Sequence, residues 1–310
     1  MSKRQMMEAF QEMLQDIMDN GSQFGGKVVV FGDDFCQVLP VVPKGTRQEI
    51  VNTSLVKSDL WPSLEKLKLT ENMRAKFDQS FCDYLLWIGD GTETTIINDK
   101  IKLPPFMIIP YKDEFTSLST LILAIFPNIE RYSNSVDLMI DRAILTPKND
   151  DVDEINRILI DKLLGPITRY YSFDETIDCC QQGQQEDFLN SLTPNGLPPH
   201  ELVLKLNCPT ILLRYIDPTK GLCNGTRLTC YAFQPNVIDA EIDVGDHGKR
   251  VFIPRIPLKP YENAKFPFPF KRTQFPIRLS FAMAINKAQG QTLNFVSIYL
   301  PQSVFAHGQL

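Results

Sequence analysis

The sequence lacks several features that define a protein class at once. No apolar run approaches the ~18 residues of a membrane-spanning helix, and the start of the chain, residues 1–13, has no apolar core of the signal-peptide kind. We therefore expect an intracellular protein. Its three histidines and seven cysteines have no metal-ligand spacing, and Cys179 and Cys180 are adjacent. Free thiols in a reducing compartment fit this pattern better than zinc or a disulfide framework.

A strongly basic balance is also missing, because the 310 residues carry a net charge of −5. The charges are unevenly distributed, however. Residues 137–187 hold 12 acidic and 5 basic residues, whereas residues 249–278 hold 8 basic and 1 acidic residue. A basic stripe can bind a polyanion within an acidic chain. Aromatic rings alternate with the cations of residues 249–278, so these residues are a candidate surface for single strands; the alternative is an ordinary loop whose rings pack on neighbouring strands.

The predicted fold is organised around residues 27–43, KVVVFGDDFCQVLPVVP. The unbroken apolar run Val28–Phe31 predicts a strand that is buried on both faces, as in a parallel sheet. Ligands of open α/β sheets bind beyond the carboxyl ends of the strands. Asp34 and Gln37 would therefore face a ligand crevice, unless the Asp and Gly residues form only a helix cap or a turn.

One nearby pattern imitates a phosphate loop and is rejected. Residues 21–27 spell G-x-x-x-x-G-K, but Val28 stands where a hydroxyl should hold Mg²⁺. A phosphate loop also follows a strand and opens a helix, whereas this segment follows a predicted helix at 3–19 and opens a strand.

The remaining pattern predicts two α/β units and an antiparallel insertion. Leu64–Leu69 is a second predicted strand, and Ala143–Thr146 followed by a helix at Val152–Leu164 begins the second unit. Residues 172–200 are polar and are predicted to form an exposed loop. Further strands are predicted at Leu202–Leu206, Thr210–Ile216, Arg227–Phe233, Val237–Ile242, Arg250–Ile253 and Val296–Leu300, with a hairpin turn at Asn224–Gly225.

Several long segments, in the right order, closely resemble the Pif family of superfamily-one DNA helicases, and within it the plant Helitron-type proteins. They are Gly25–Arg47, Leu69–Arg74, Ile144–Asn149 with Val152–Asn156, Gly221–Leu228 (GLCNGTRL) and Phe281–Leu293 (FAMAINKAQGQTL). The resemblance implies two RecA-like lobes, ATP with Mg²⁺ between them, and single-stranded DNA or a duplex–single-strand junction as partner. It implies a monomer that steps 5′ to 3′ in replication, repair, recombination or telomere maintenance, in the nucleus or a mitochondrion.

Residue roles follow from the same resemblance. Gln37 would sense the γ-phosphate, Arg74 would bind phosphate oxygens, and Asp34 matches the acidic position of its motif. Gly290 and Gln291, with Gln37 and Arg74, would contact the nucleotide. The implied DNA contacts are Asn286, Lys287, Gln289 and Thr292, to which the basic stripe adds Lys271 and Arg272.

The sequence departs from the family pattern at Asp33, which replaces a Gly, and at Cys36, which replaces an Arg. We identify no phosphate-loop Lys, no acidic pair for Mg²⁺ and no final-motif Arg in residues 1–310, so we expect these residues alone to be inactive. The alternatives are a nucleic-acid-binding relative that does not hydrolyse ATP and a non-catalytic scaffold.

The predicted fold class is α/β, with two incomplete RecA-like lobes and a small antiparallel β-barrel inserted in the second. The predicted domains are residues 1–135 for the first lobe, 136–201 with 275–310 for the second, and 202–274 for an SH3-like barrel with a basic arm.

Overall fold

The computed structural model describes residues 3–32, 42, 45–69, 71, 73, 78–93, 95–97, 100–130, 137–177, 182–194, 196–243, 248–260, 266 and 269–304. The chain divides into two compact units, Met1–Ile108 with Ser303–Leu310, and Ile109–Gln302. Among the described residues, no helix combines the length and the apolar character that crossing a membrane requires.

The first unit is mainly helical. Its helices are α1 (Arg4–Met18), α2 (Arg47–Thr53) and α3 (Gln79–Asp90), and its strands β1 (Thr95–Ile97) and β2 (Lys100–Ile101) pair antiparallel. Local chemistry sets the helix starts: Thr46 and Glu49 form a reciprocal capping box on α2, and the Asp78 carboxylate accepts from Phe81 N at 3.0 Å on α3.

The predicted strand at Val28–Phe31 is wrong in this structure. Residues 27–32 have no regular secondary structure, and Val28 and Val30 are 95% and 85% exposed. The predicted strand at Leu64–Leu69 is likewise absent, with Leu67 and Leu69 exposed. A parallel strand exists only when neighbours satisfy its backbone groups. Among the described residues of this unit, strand pairing is confined to β1 and β2.

The glycines of residues 21–27 serve packing. Gly25 has φ +62°, and a Cβ there would lie 2.5 Å from Leu14 O in α1. Phe24 is buried, and its ring lies 6.2 Å from that of Phe10 and 5.5 Å from that of Phe31. The turn therefore needs glycine to approach α1 closely, which agrees with the rejection of a phosphate loop.

The second unit contains the predicted parallel sheet. Its strand order is β14 (Ala282–Ala284), β3 (Arg142–Thr146), β15 (Phe295–Ile298), and both neighbours run parallel to β3. The helices of this unit are α4 (Glu114–Ile125), α5 (Asp137–Ile140), α6 (Asn149–Lys162), α7 (Gln182–Ser191) and α8 (Ile285–Ala288). Buried side chains of α4 and α6, such as Ile122 and Leu159, share one core with Ile144 of β3. The α/β fold class is thereby confirmed.

Four of the predicted antiparallel strands share one sheet, but its fifth strand is formed by residues 277–279, while the predicted strand at 202–206 pairs elsewhere. Its five strands, in spatial order, are β10 (Arg250–Pro254), β9 (Val237–Ile242), β8 (Arg227–Phe233), β7 (Pro209–Leu212) and β13 (Ile277–Leu279). Alternating burial along β9 and β10 matches the period-two pattern of the sequence. Closure of this sheet into a barrel stays a prediction.

The segment predicted as an exposed loop, residues 172–200, is partly wrong. It contributes β5 (Phe173–Thr176), whose Asp174 is buried, and α7. β5 forms a sheet with β11 (Ile256–Leu258) and β12 (Phe270–Gln274), while β4 (Thr168–Tyr171) pairs with β6 (Glu201–Leu204). Residues 109–130 also pack in the core of the second unit, so the division lies at residue 108, nearer the N-terminus than the predicted boundary at 135.

Asn156 fastens α6 to the strand that leads into the 281–293 signature. Its side chain accepts from Ala282 N at 2.9 Å and donates to Ala282 O at 3.0 Å and Leu279 O at 3.2 Å. We predict that Asn156→Ala lowers the free energy of unfolding by about 1–3 kcal/mol, because it leaves buried backbone groups unsatisfied. Urea unfolding followed by circular dichroism measures this. Glu154→Ala, an exposed change on the same helix, is the control, and an equal loss in both variants would contradict the assignment.

Candidate nucleic-acid interface

The predicted site residues divide into two groups. Asp34, Gln37 and Arg74 lie outside the described residues, so their roles stay predictions. The other eight are described and belong to the second unit: Lys271, Arg272, Asn286, Lys287, Gln289, Gly290, Gln291 and Thr292.

Loop 221–226 carries the first signature and lies against the end of β7. Gly225 N donates to Leu212 O at 2.8 Å, and Leu212 N donates to Thr226 O at 2.9 Å. The Thr226 hydroxyl donates to Gly221 O at 2.8 Å and closes the loop on itself. Gly221 and Gly225 have φ of +79° and +98°, a region that favours glycine. The glycines of the signature therefore shape a tight loop.

The two signatures meet through side chains. The Lys287 ammonium donates to the Asn224 carboxamide oxygen, and Gln291 Nε2 donates to Gly225 O at 2.8 Å. We call this contact between loop 221–226 and residues 287–291 the loop junction. It unites segments that are more than sixty residues apart in the sequence. The sequence marked Asn224 as part of a turn and a signature, but its contact with Lys287 could not be read from either pattern.

Lys287 lies in an environment that disfavours its charge. Partial burial lowers the pKa of its ammonium below the ordinary value, and the positive charge of Arg214 lowers that pKa further. Among the described residues, no carboxylate lies within ion-pair distance of Lys287, and its hydrogen-bond partner is the neutral Asn224 amide. Lys287 is therefore a partly buried cation whose charge is balanced by no carboxylate among the described residues.

The other predicted contacts of this signature differ in accessibility. Gln289, Gly290 and Thr292 are exposed. Gly290 has φ +80°, and a Cβ there would meet nothing within 4 Å. Asn286 Oδ1 is buried and has no hydrogen-bond partner among the described residues. The exposed groups could reach a ligand, whereas Gln291 is partly occupied by its bond to Gly225.

The structure overturns the prediction for Arg272. Its side chain is 0% exposed and pairs with the equally buried Asp174. Its Nε donates to both Asp174 oxygens at 3.0 Å, and its terminal nitrogens donate to Asp174 and to the carbonyls of Leu189, Leu192 and Pro198. The carbonyls of Leu189 and Leu192 lie at the end of α7, where the helix dipole favours a cation. Arg272 is a structural residue with no access to DNA.

Other cations of the stripe are compensated as well. Lys271 pairs with Glu175 at 2.8 Å, Arg250 pairs with Asp239, and Arg278 pairs with Asp153. Phe270 and Phe275 are buried, as the alternative reading of the stripe predicted. Several cations of residues 249–278 thus form ion pairs within the fold. The sequence pattern overestimated these residues as a DNA-binding surface.

A cavity of about 430 Å³ lies between α6, β6 and β13. Ile160 and Leu202 line its floor, and the Arg278–Asp153 and Arg169–Glu201 pairs lie at its wall. None of the predicted site residues lines it. The described residues also bring together no three groups able to hold a metal ion, so no step through Mg²⁺ is assigned to them.

Two family models match the chain. A model described as PIF1-like helicase covers residues 1–99, and one described as the 2B domain of DNA helicase Pif1 covers residues 187–233. The second match includes loop 221–226, one half of the loop junction.

These two parts of the chain are similar to the PIF1-like helicase family.

Relatives extend the likeness over the whole chain. It is 25% identical to the ATP-dependent DNA helicase PIF1 of Danio rerio over 314 residues, which cover 100% of this chain and 42% of the relative. A Bacteroides Pif1 helicase in complex with ADP-AlF3 and ssDNA has a TM-score of 0.66 at 19% identity, over 100% of this chain and 64% of that one. A structure of Pif1 helicases on forked double-stranded DNA has a TM-score of 0.65 at 20% identity, over 99% and 62%.

These solved structures show the fold, including the RecA-like lobes. The chain spans 42% of the curated relative and under two thirds of the solved chains that it matches.

The Arg272–Asp174 pair generates a prediction about stability. Arg272→Ala leaves Asp174 buried without its partner, so we expect the free energy of unfolding to fall by about 3–5 kcal/mol. Lys271→Ala is a matched control one residue away, since its pair with Glu175 is partly exposed and should contribute less than about 1 kcal/mol. Urea unfolding of both variants measures the difference. Similar losses would show that the Arg272 pair is not the stabilising element described above.

Proposed function

We propose that the chain is part of an ATP-dependent DNA helicase that translocates 5′ to 3′ on single-stranded DNA. The observation that carries the proposal is the loop junction, where two segments that resemble family signatures meet at a partly buried lysine with no carboxylate partner among the described residues. The matches to the PIF1-like family models and the fold shared with Pif1 structures support it.

Within this proposal, single strands and duplex–single-strand junctions are the partners. Lys287, Gln289 and Thr292 contact the DNA backbone, because a cation, an amide and a hydroxyl are the groups that bind phosphate oxygens. ATP and Mg²⁺ are the proposed cofactors, with Gln37, Arg74, Asp34 and Gly290 on the nucleotide side. We propose further that the protein is a monomer in the nucleus or a mitochondrion. It acts in replication, repair, recombination or telomere maintenance, and it is related to Helitron proteins.

The first prediction here concerns DNA. We expect the 310-residue chain to bind fluorescein-labelled oligo-dT weakly and without sequence preference, with affinity that falls as salt rises, because counterions are released. Lys287→Ala should weaken binding and flatten the salt dependence. Fluorescence anisotropy measures both, with Lys271→Ala as the control because Glu175 already compensates its charge. A parent chain that does not bind oligo-dT at low salt would refute the proposed DNA site.

The second prediction concerns ATP. We expect the 310-residue chain alone to hydrolyse ATP far more slowly than a complete helicase, with or without oligo-dT. The physical reason is that we identify no phosphate-loop Lys, no acidic pair for Mg²⁺ and no final-motif Arg in residues 1–310. An Arg finger alone contributes a factor of ~10³–10⁵ to the rate of hydrolysis. Phosphate release measures turnover. DNA-stimulated turnover near that of a complete helicase would show that these residues carry the catalytic groups after all.

A further inference from the structure

Tyr215 is an exposed aromatic residue in the hairpin that leads from β7 into loop 221–226. The residue is 69% exposed. Among the described residues, its ring contacts no other ring and no cation, and its hydroxyl has no hydrogen-bond partner. The ring therefore has a face available to a ligand.

Backbone hydrogen bonds place the segment that carries Tyr215 against the loop junction. At one end of the segment, Gly225 N donates to Leu212 O at 2.8 Å. At the other end, Leu222 N donates to Asp217 O at 2.9 Å, and these two residues form an antiparallel β-bridge. The hairpin is thus tied together on both sides of Tyr215.

The two sides of this hairpin differ in length. Four residues, 213–216, lie between the tied positions on one side, and two residues, 223–224, lie between them on the other. The longer side has to bow outwards, as it does in a β-bulge. Leu213 is buried and Ile216 packs against the core of the unit, so Tyr215 projects from a segment that is anchored on both sides.

The shorter side of the hairpin belongs to the loop junction. It contains Asn224, whose carboxamide oxygen accepts a hydrogen bond from the Lys287 ammonium. Hydrogen bonds therefore bring Tyr215 and Lys287 to the same loop, the first through its backbone segment and the second through the Asn224 side chain. Proteins that bind single strands combine cations that follow the phosphates with aromatic rings that stack on the bases.

We propose that Tyr215 stacks on an unpaired base of the single strand whose backbone Lys287 contacts. This inference rests on the proposed function and adds a base contact to its phosphate contacts. The stacking tolerates any sequence, because every base has a π-face. Anchoring of the segment in the free protein reduces the conformational entropy that is lost on binding.

The test compares two fluorescein-labelled ligands, oligo-dT and an abasic oligomer with the same number of phosphates. We expect Tyr215→Ala to bind oligo-dT about tenfold more weakly than the 310-residue parent, through the loss of one stacked base. Its affinity for the abasic oligomer should equal that of the parent. Phe173→Ala is the matched control and should match the parent on both ligands, because Phe173 is 56% exposed and belongs to a different sheet.

Two further variants test whether the aromatic ring is the cause. Tyr215→Phe keeps the ring and should keep the affinity for oligo-dT. Tyr215→Leu keeps an apolar side chain without an aromatic face and should lose about as much affinity as Tyr215→Ala. The slope of log affinity against log salt should stay unchanged in all three variants, because none removes a charge, whereas Lys287→Ala lowers that slope.

The outcomes separate this inference from the proposed function. If Lys287→Ala weakens binding but Tyr215→Ala equals the parent on oligo-dT, the proposed function stands and the inference fails. The inference also fails if Tyr215→Ala weakens binding of both ligands equally, if Tyr215→Leu keeps full affinity, or if Phe173→Ala loses as much. A parent that binds no oligo-dT overturns both. Melting temperatures show whether each variant folds, and if Tyr215→Ala does not, Tyr215→Leu decides the question.

Discussion

Arg227 joins the antiparallel sheet to the parallel sheet, and it stands next to the loop that forms half of the loop junction. Its side chain is buried, and its guanidinium donates to the carbonyls of Ile140 and Arg142, which flank the start of β3. Burial lowers the pKa of Arg227, while the charges of Asp243 and Asp141 oppose that shift. Arg227 directly follows loop 221–226. Its contacts therefore hold the end of that loop near the start of β3.

Charge compensation separates the structural cations of this chain from the candidate ligand-binding ones. Desolvating a guanidinium is costly unless a carboxylate and further acceptors surround it, and Arg272 has both. Such a residue cannot also bind a phosphate, because its donors are already used. Lys287 is partly buried without an acidic partner among the described residues, which leaves its charge available to a ligand. Whether a cation can bind a ligand is thus shown better by its partners within the fold than by the density of charge along the sequence.

The parts of the fold that follow local rules were predictable. Alternation along residues 227–233 and 237–242 placed β8 and β9 at their observed bounds, and α1 and α6 begin within three residues of their predicted starts. Local rules could not decide whether Val28–Phe31 forms a strand, because a parallel strand depends on partner strands elsewhere in the chain. Arg272 was misjudged because a run of alternating cations and rings looks the same whether its members face solvent or an acid on β5. The contact between Lys287 and Asn224 had no signal in the sequence, since it depends on how loop 221–226 lies against Leu212.

The choice of Asn224 as the partner of Lys287 has a physical consequence. A carboxylate at this position would orient the ammonium equally well, but it would neutralise the charge and compete with an incoming phosphate. A carboxamide orients the ammonium through its dipole and leaves the net charge in place. A cation held by a neutral acceptor keeps its charge, and partial burial makes that charge costly. Asn224 therefore positions Lys287 without balancing its charge.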